Sequence, residues 1–167
     1  TMLNIMSGLI TPSEGYVFFN DQNITSVKTE QRNIAQVFQF PVIYNTMSVY
    51  DNLAFPLKCR KFSDSQIRIK VNEVADILNL SSFLDMGAKG LTADQKQLIS
   101  LGRGLVREDV AAILMDEPLT VIDPDLKFKL RRKLKEINSK YKTTLIYVTH
   151  DQNEAMTFAE KIIVMDS

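Results

Sequence analysis

Ile113-Leu114-Met115-Asp116-Glu117-Pro118 is the stretch on which the fold turns. It closes a continuous apolar run that begins at Val110 and shows no polar alternation. Such a run fits a strand buried on both faces, as in a parallel sheet covered by helices. Thr144-Leu145-Ile146-Tyr147-Val148 is a second such run, meeting Thr149-His150-Asp151 as the first meets Asp116-Glu117-Pro118. Between them, Pro124 to Lys140 reads as a charged amphipathic helix. A helix predicted over about Gln152 to Glu160 leads to a last apolar run, Ile162-Ile163-Val164-Met165. Strand, helix, strand, helix, strand is the doubly wound α/β pattern, in which ligands sit outside the carboxyl ends of the strands.

Upstream, a Ser-Glu-Gly turn at Ser13 to Gly15 precedes Tyr16-Val17-Phe18-Phe19, a predicted strand ended by Asn20-Asp21-Gln22. A further short strand is expected at Ile34 to Phe38. From Thr46 to Leu84 the pattern turns helical: Ile67, Val71, Val74, Ile77 and Leu78 recur at three- and four-residue steps and share one face. This stretch reads as a mostly helical insert. Thr1-Met2-Leu3-Asn4-Ile5-Met6 reads as a helix already under way, with no capping signal before it, so the expectation is an artificial terminus.

The chain has 167 residues, enough for one domain with a real core, and twenty basic residues balance twenty acidic ones. Zero formal charge gives no broad electrostatic attraction for nucleic acid or anionic lipid, so partners are expected to be recognised locally and no nucleic-acid partner is expected. One cysteine, Cys59, cannot form an internal disulfide, which suits a reducing compartment, and one histidine cannot build a multi-histidine metal site. No apolar run approaches the ~18 residues of a membrane-spanning helix.

A carboxylate at the end of a buried strand, such as Asp116, is well placed to hold Mg²⁺ directly or through water, and a second beside it, Glu117, can orient or deprotonate a water. The pair alone is equally compatible with a plain acidic strand end. His150 taken alone reads as a capping or core residue. Its place at the end of a parallel buried strand is what puts it within reach of a terminal phosphate. Gln39, closing the Ile34 to Phe38 strand, is unremarkable in isolation, but three polar strand ends are then expected on one edge.

At this point the sequence resembles the ATPases of ABC transporters. Val37-Phe38-Gln39 with Met47-Ser48-Val49-Tyr50-Asp51-Asn52-Leu53 resembles their Q-loop region, and Ile113 to Pro118 resembles the Walker B strand with its catalytic glutamate. Asp123 before Pro124 resembles the D-loop; Val148-Thr149-His150-Asp151-Gln152 with Glu154-Ala155-Met156 resembles the H-loop. Order and spacing match over essentially the whole chain, and Tyr50 to Leu53 and Thr149 to Met156 are closest to carbohydrate and glycerol-phosphate importers. The resemblance implies a partial ABC ATPase domain over residues 1–167, a P-loop NTPase with a parallel sheet and a helical subdomain over approximately 46–105. It implies that Gln39 contacts Mg²⁺ or the attacking water, Asp116 holds Mg²⁺ through water, Glu117 is the general base, His150 contacts the γ-phosphate of ATP, and Asp123 lies across a dimer interface.

Two departures stand out. The pattern G-x-x-x-x-G-K-[ST] is absent. Thr1 to Leu9 resemble the segment that follows it, with Thr1 just after the Mg²⁺-binding hydroxyl, so the Walker A strand and loop are expected to be missing and the chain as it stands inactive. By the same resemblance, the missing strand lies between the runs 144–148 and 162–165, leaving an exposed edge beside the latter and a marginally stable chain. The signature, usually close to L-S-G-G-Q, is here Leu91-Thr92-Ala93-Asp94-Gln95. Thr92 keeps a hydroxyl and Gln95 is retained, so both count as nucleotide-contacting candidates, whereas Leu98 replaces a commonly basic residue. Asp94 pointing at a phosphate would oppose it by about 3 kcal/mol, taking unit charges ~5 Å apart at an effective dielectric of ~20. If it faces solvent, that cost mostly disappears.

The resemblance thus implies a peripheral subunit on the cytoplasmic side of the cell membrane that binds ATP and Mg²⁺ and energises import of a sugar, polyol or glycerol-related solute. Its implied partners are a second ATPase subunit, transmembrane permease subunits and, indirectly, a solute-binding protein. The alternative is a non-catalytic or regulatory subunit paired with one of consensus sequence.

Overall fold

The computed structural model describes residues 1–141 and 143–165. Its centre is a three-stranded parallel sheet of β3 (Ile34–Val37), β4 (Ala112–Asp116) and β5 (Thr144–Val148), in that spatial order. Val37 aligns with Met115 and Met115 with Tyr147, while Asp116 aligns with Val148, so the strands end nearly level. Before the sheet come a short helix, α1 (Met2–Ser7), and a two-residue hairpin, β1 (Phe18–Phe19) and β2 (Gln22–Asn23). Asn20 and Asp21, read above as a strand end, form the hairpin turn with φ of 46° and 65°. Two successive left-handed residues are what a tight hairpin turn needs, and Asn and Asp adopt that conformation readily.

The crossover from β3 to β4 holds three helices, α2 (Val49–Cys59), α3 (Asp64–Ile77) and α4 (Ala93–Leu105). Local chemistry starts each one. Ser48 Oγ accepts from Asp51 N at the head of α2, and Ser63 with Gln66 and Thr92 with Gln95 form reciprocal capping boxes on α3 and α4. The predicted face of Ile67, Val71 and Val74 is buried, while Ile77 is half-buried and Leu78 caps the helix inside the core. The second crossover is α5 (Pro124–Tyr141), and α6 (Gln152–Phe158) follows β5.

Alternation along the strands makes two apolar layers. Ala35, Val37, Ile113, Met115, Leu145 and Tyr147 join the large cluster under α2–α5. Ile34, Ala112, Leu114, Ile146 and Val148 pack on the other face with Leu3 and Met6 of α1 and with Phe19. Gly104 lets α4 approach this sheet, since a Cβ there would stand 2.9 Å from Val37 Cγ2. On the other side, Arg32 is buried and donates to the carbonyls of Ile5 and Met6, closing the C-terminus of α1 beside Gly8, whose φ is 83°.

Two expectations need correction. The 144–148 strand is half-buried, with Thr144 exposed, because only β4 pairs with it among the described residues. Ile162 to Met165 form no strand and are exposed, Val164 to 90%, because no described strand lies beside them to supply backbone partners. No helix among the described residues is long and apolar enough to cross a membrane.

Candidate functional site

The carboxyl ends of the three parallel strands gather the polar residues at issue. Asp116 is the last residue of β4 and half-buried; Gln39 lies two residues past the end of β3, on the neighbouring strand. Neither side chain has a hydrogen-bond partner among the described residues.

Glu117 turns the chain sharply at φ 44°, a left-handed conformation unusual for a residue with a long side chain. Holding it costs on the order of 1–3 kcal/mol, offset only where neighbours fix it. They do: Glu117 N donates to Val148 O at 3.0 Å, Thr120 Oγ1 donates to Oε2 at 3.2 Å, and His150 Nε2 lies 2.6 Å from Oε1. Because the carboxylate only accepts, Nε2 is the protonated nitrogen of this pair. The carboxylate side chain is 16% exposed and the imidazole 87%, so a recessed acceptor meets a solvent-facing donor.

The His150 loop is held from beneath by Glu154, 5% exposed. Glu154 Oε2 accepts from Tyr147 Oη at 3.0 Å and from Thr149 Oγ1 at 2.9 Å, and Arg131 Nη1 on α5 lies 3.5 Å from Oε1. Burial and, after it, the Glu154 charge push the Tyr147 phenol well above its ordinary range. Asp151 caps α6 by accepting from Asn153 N and Glu154 N. Sequence reasoning missed the role of Glu154. Its only signal is the Asp151-x-x-Glu154 spacing of a capping box, and there the structure differs: Thr149 Oγ1, not Glu154, accepts from Asp151 N.

The remaining predicted residues make no hydrogen bond to Asp116, Glu117 or His150 among the described residues. Thr92 and Gln95 are engaged with each other at the head of α4, Gln95 N donating to Thr92 Oγ1 at 3.3 Å and Thr92 N to Gln95 Oε1 at 3.0 Å. Asp94 follows in the first turn, half-buried. Asp123 is exposed and caps α5, accepting from Asp125 N on Oδ1 and from Lys127 N on its carbonyl. Thr1 is exposed at the head of α1. Asn4 meets Gln36 while Met6 meets Arg32, so α1 runs antiparallel to β3 and Thr1 stands toward the carboxyl edge of the sheet.

Among the described residues no three or more His, Cys, Asp or Glu converge as a metal cage. One unengaged carboxylate and one unengaged amide, Asp116 and Gln39, instead suit a hard cation that keeps several waters and takes its other ligands from phosphate, the habit of Mg²⁺.

A family model described as ABC transporter matches residues 1–120. The chain is 42% identical over 166 residues to an sn-glycerol-3-phosphate import ATP-binding protein, UgpC, of Yersinia pestis bv. Antiqua, and 41% identical to the proteins of that name from Pectobacterium atrosepticum and Escherichia coli K12. Each match takes in 99% of this chain and 46% of the relative, so the chain spans about half the length of the curated relatives it matches. With three level strand ends carrying Gln39, Glu117 and His150 and a family match over most of its length, the chain belongs to the ABC transporter family.

Proposed function

We propose that the protein is the ATP-hydrolysing subunit of an importer for a glycerol-phosphate, polyol or sugar solute, and that residues 1–167 supply its water-activating edge. The pairing of Glu117 Oε1 with His150 Nε2 at 2.6 Å carries the reading. In it, the pair opens when nucleotide and water enter: Glu117, freed at Oε1, takes the proton of the attacking water, and His150 redirects its Nε2–H to a terminal phosphate oxygen. Asp116 and Gln39 hold Mg²⁺, which when bound neutralises charge on the phosphates. The amide cradle and lysine of a phosphate loop come, in this reading, from sequence ahead of Thr1. The half-buried β5 and the exposed apolar run 162–165 support a further strand between them. A second copy or a related subunit would face the Thr92 to Gln95 segment and Asp123. The helical region 46–105 would meet permease subunits served by a solute-binding protein. Of that solute class, only the glycerol-phosphate part rests on the names of the relatives; polyol and sugar rest on the sequence resemblance.

Asp94 supports a second reading, a subunit whose hydrolysis is left to a partner with the consensus signature. Its carboxylate sits in the first turn of α4, where the family places a phosphate. Assaying Mg-ATP hydrolysis by the intact protein, alone and with Asp94→Gly, separates the two. Turnover by the protein itself supports the first reading; turnover only in the variant supports the second. No turnover in either, with no nucleotide binding, removes both.

A further inference from the structure

Gln97 lies on α4 with no exposed surface, at the start of a buried run that continues through Leu98, Ile99, Ser100 and Leu101. Its Nε2 donates to Pro118 O at 2.9 Å and to Phe38 O at 3.2 Å. These carbonyls belong to the residues that flank Glu117 and Gln39: Pro118 follows the first and Phe38 precedes the second. Carbonyl oxygens only accept, and the amide nitrogen is the only donor on the glutamine side chain, so it must point at them, one hydrogen to each. The amide oxygen is buried and has no partner among the described residues. Both amide hydrogens are thus engaged, so the donor end of Gln97 is the end that ties it to the two loops.

The carbonyls need those donors because the parallel ladder stops. β3 ends at Val37 and β4 at Asp116; Glu117 N still reaches Val148 O, but the carbonyls of Phe38 and Pro118 lie past the ladder and take their donors from Gln97. Along the same face of α4, at three-residue steps, Ser100 Oγ accepts from Val42 N at 3.2 Å and the Arg103 guanidinium stacks 4.5 Å from the Tyr44 ring centroid. Gln97, Ser100 and Arg103 therefore follow residues 38–44 in register, and only Gln97 also reaches the Glu117 turn.

We propose that Gln97 is a positioning residue that sets the separation between Gln39 and Glu117 and ties both to the helix beginning at Thr92. Movement at the head of α4 is thereby passed to the two loops together. The inference rests on the function proposed above for its activity readout, but not for its structural one.

The test uses the intact protein with Gln97→Met, which keeps shape and removes both donors, and Gln97→Glu, whose carboxyl can donate one hydrogen bond only when protonated. Amide hydrogen exchange should quicken at Val42 and Thr120, in the two tethered loops, and stay unchanged in β4. Turnover of Gln97→Met should fall roughly ten- to a hundred-fold, the scale of a small misplacement of reacting groups, with Mg-ATP affinity altered less than about two-fold. Gln97→Glu should regain turnover relative to the unmodified protein as pH falls. Exchange that quickens throughout the domain, affinity lost in proportion to turnover, or unchanged turnover with unchanged exchange would each overturn the proposal. If the unmodified protein hydrolyses no ATP, the functional reading fails alone, and exchange confined to the two loops still decides the role of Gln97. Should Gln97→Met not fold, Gln97→Glu at low pH decides in its place.

Discussion

His150 Nε2 lies 2.6 Å from Glu117 Oε1, and the contact joins the ends of two neighbouring parallel strands. Glu117 N also donates to Val148 O, so the turn bearing the carboxylate is tied at both backbone and side chain to the segment bearing the imidazole.

If Glu117 is the base, Glu117→Gln keeps shape and an acceptor oxygen while removing the proton sink. In the intact protein, steady-state hydrolysis should fall about 10²- to 10⁴-fold while Mg-ATP still binds. Unchanged turnover would remove Glu117 from the mechanism.

His150→Ala should separate activity from stability. The imidazole is 87% exposed and its pairing with Glu117 is one of three contacts on that turn, so stability should fall by no more than about 1 kcal/mol, the range for an exposed ion pair. Turnover should nonetheless fall at least as far as a lost charge-assisted hydrogen bond implies, about ten-fold or more. A large stability loss with normal turnover would make His150 structural.

Glu154→Ala should behave in the opposite way. It leaves the half-buried hydroxyls of Tyr147 and Thr149 without their acceptor, at a cost on the order of 1–3 kcal/mol in chemical denaturation. In Glu154→Gln the Tyr147 phenol should titrate lower than in the parent, because the neighbouring charge is gone, yet stay above its ordinary value, because burial is the larger cause. Ultraviolet difference spectra against pH measure this. An unshifted phenol would mean that Glu154 does not reach it.

Acid should act through Asp51. Hydrogen bonds from Lys58 and Ser48 hold its carboxyl below the ordinary 3.8. A carboxylate depressed in the folded state contributes stability above its unfolded value and loses it as pH falls through the folded one. Melts of the parent and of Asp51→Asn should therefore differ most above the ordinary carboxylate value and converge as pH falls well below it. A constant gap would place the effect of Asp51 elsewhere than in its charge.

Much of the fold was legible because it rests on local chemistry. The apolar run ending at Met115 can be satisfied only with both faces covered, and β4 is buried accordingly. Thr92-x-x-Gln95 and Ser63-x-x-Gln66 carry their own helix starts. The strand-end positions of Gln39, Asp116, Glu117 and His150 followed from the same periodicity. Ile162 to Met165 shows the limit. Its composition fits a strand, but a strand exists only where a neighbour supplies hydrogen bonds, and pairing is not encoded in the segment itself. The same holds for β5, whose half-buried surface depends on what lies beside it.

What the sequence alone determined here is the order of elements, the helix caps and the set of polar strand ends, since each depends on residues within a few positions of one another. Only the tertiary structure decided that Glu117 adopts a left-handed turn against Val148, that Glu154 turns from its own helix cap to Thr149 and Tyr147, and that Gln97 faces two carbonyls from separate loops. Those outcomes depend on which polar groups are brought together when water is excluded. A buried donor takes whichever acceptor the packed chain presents, however far away it lies in sequence.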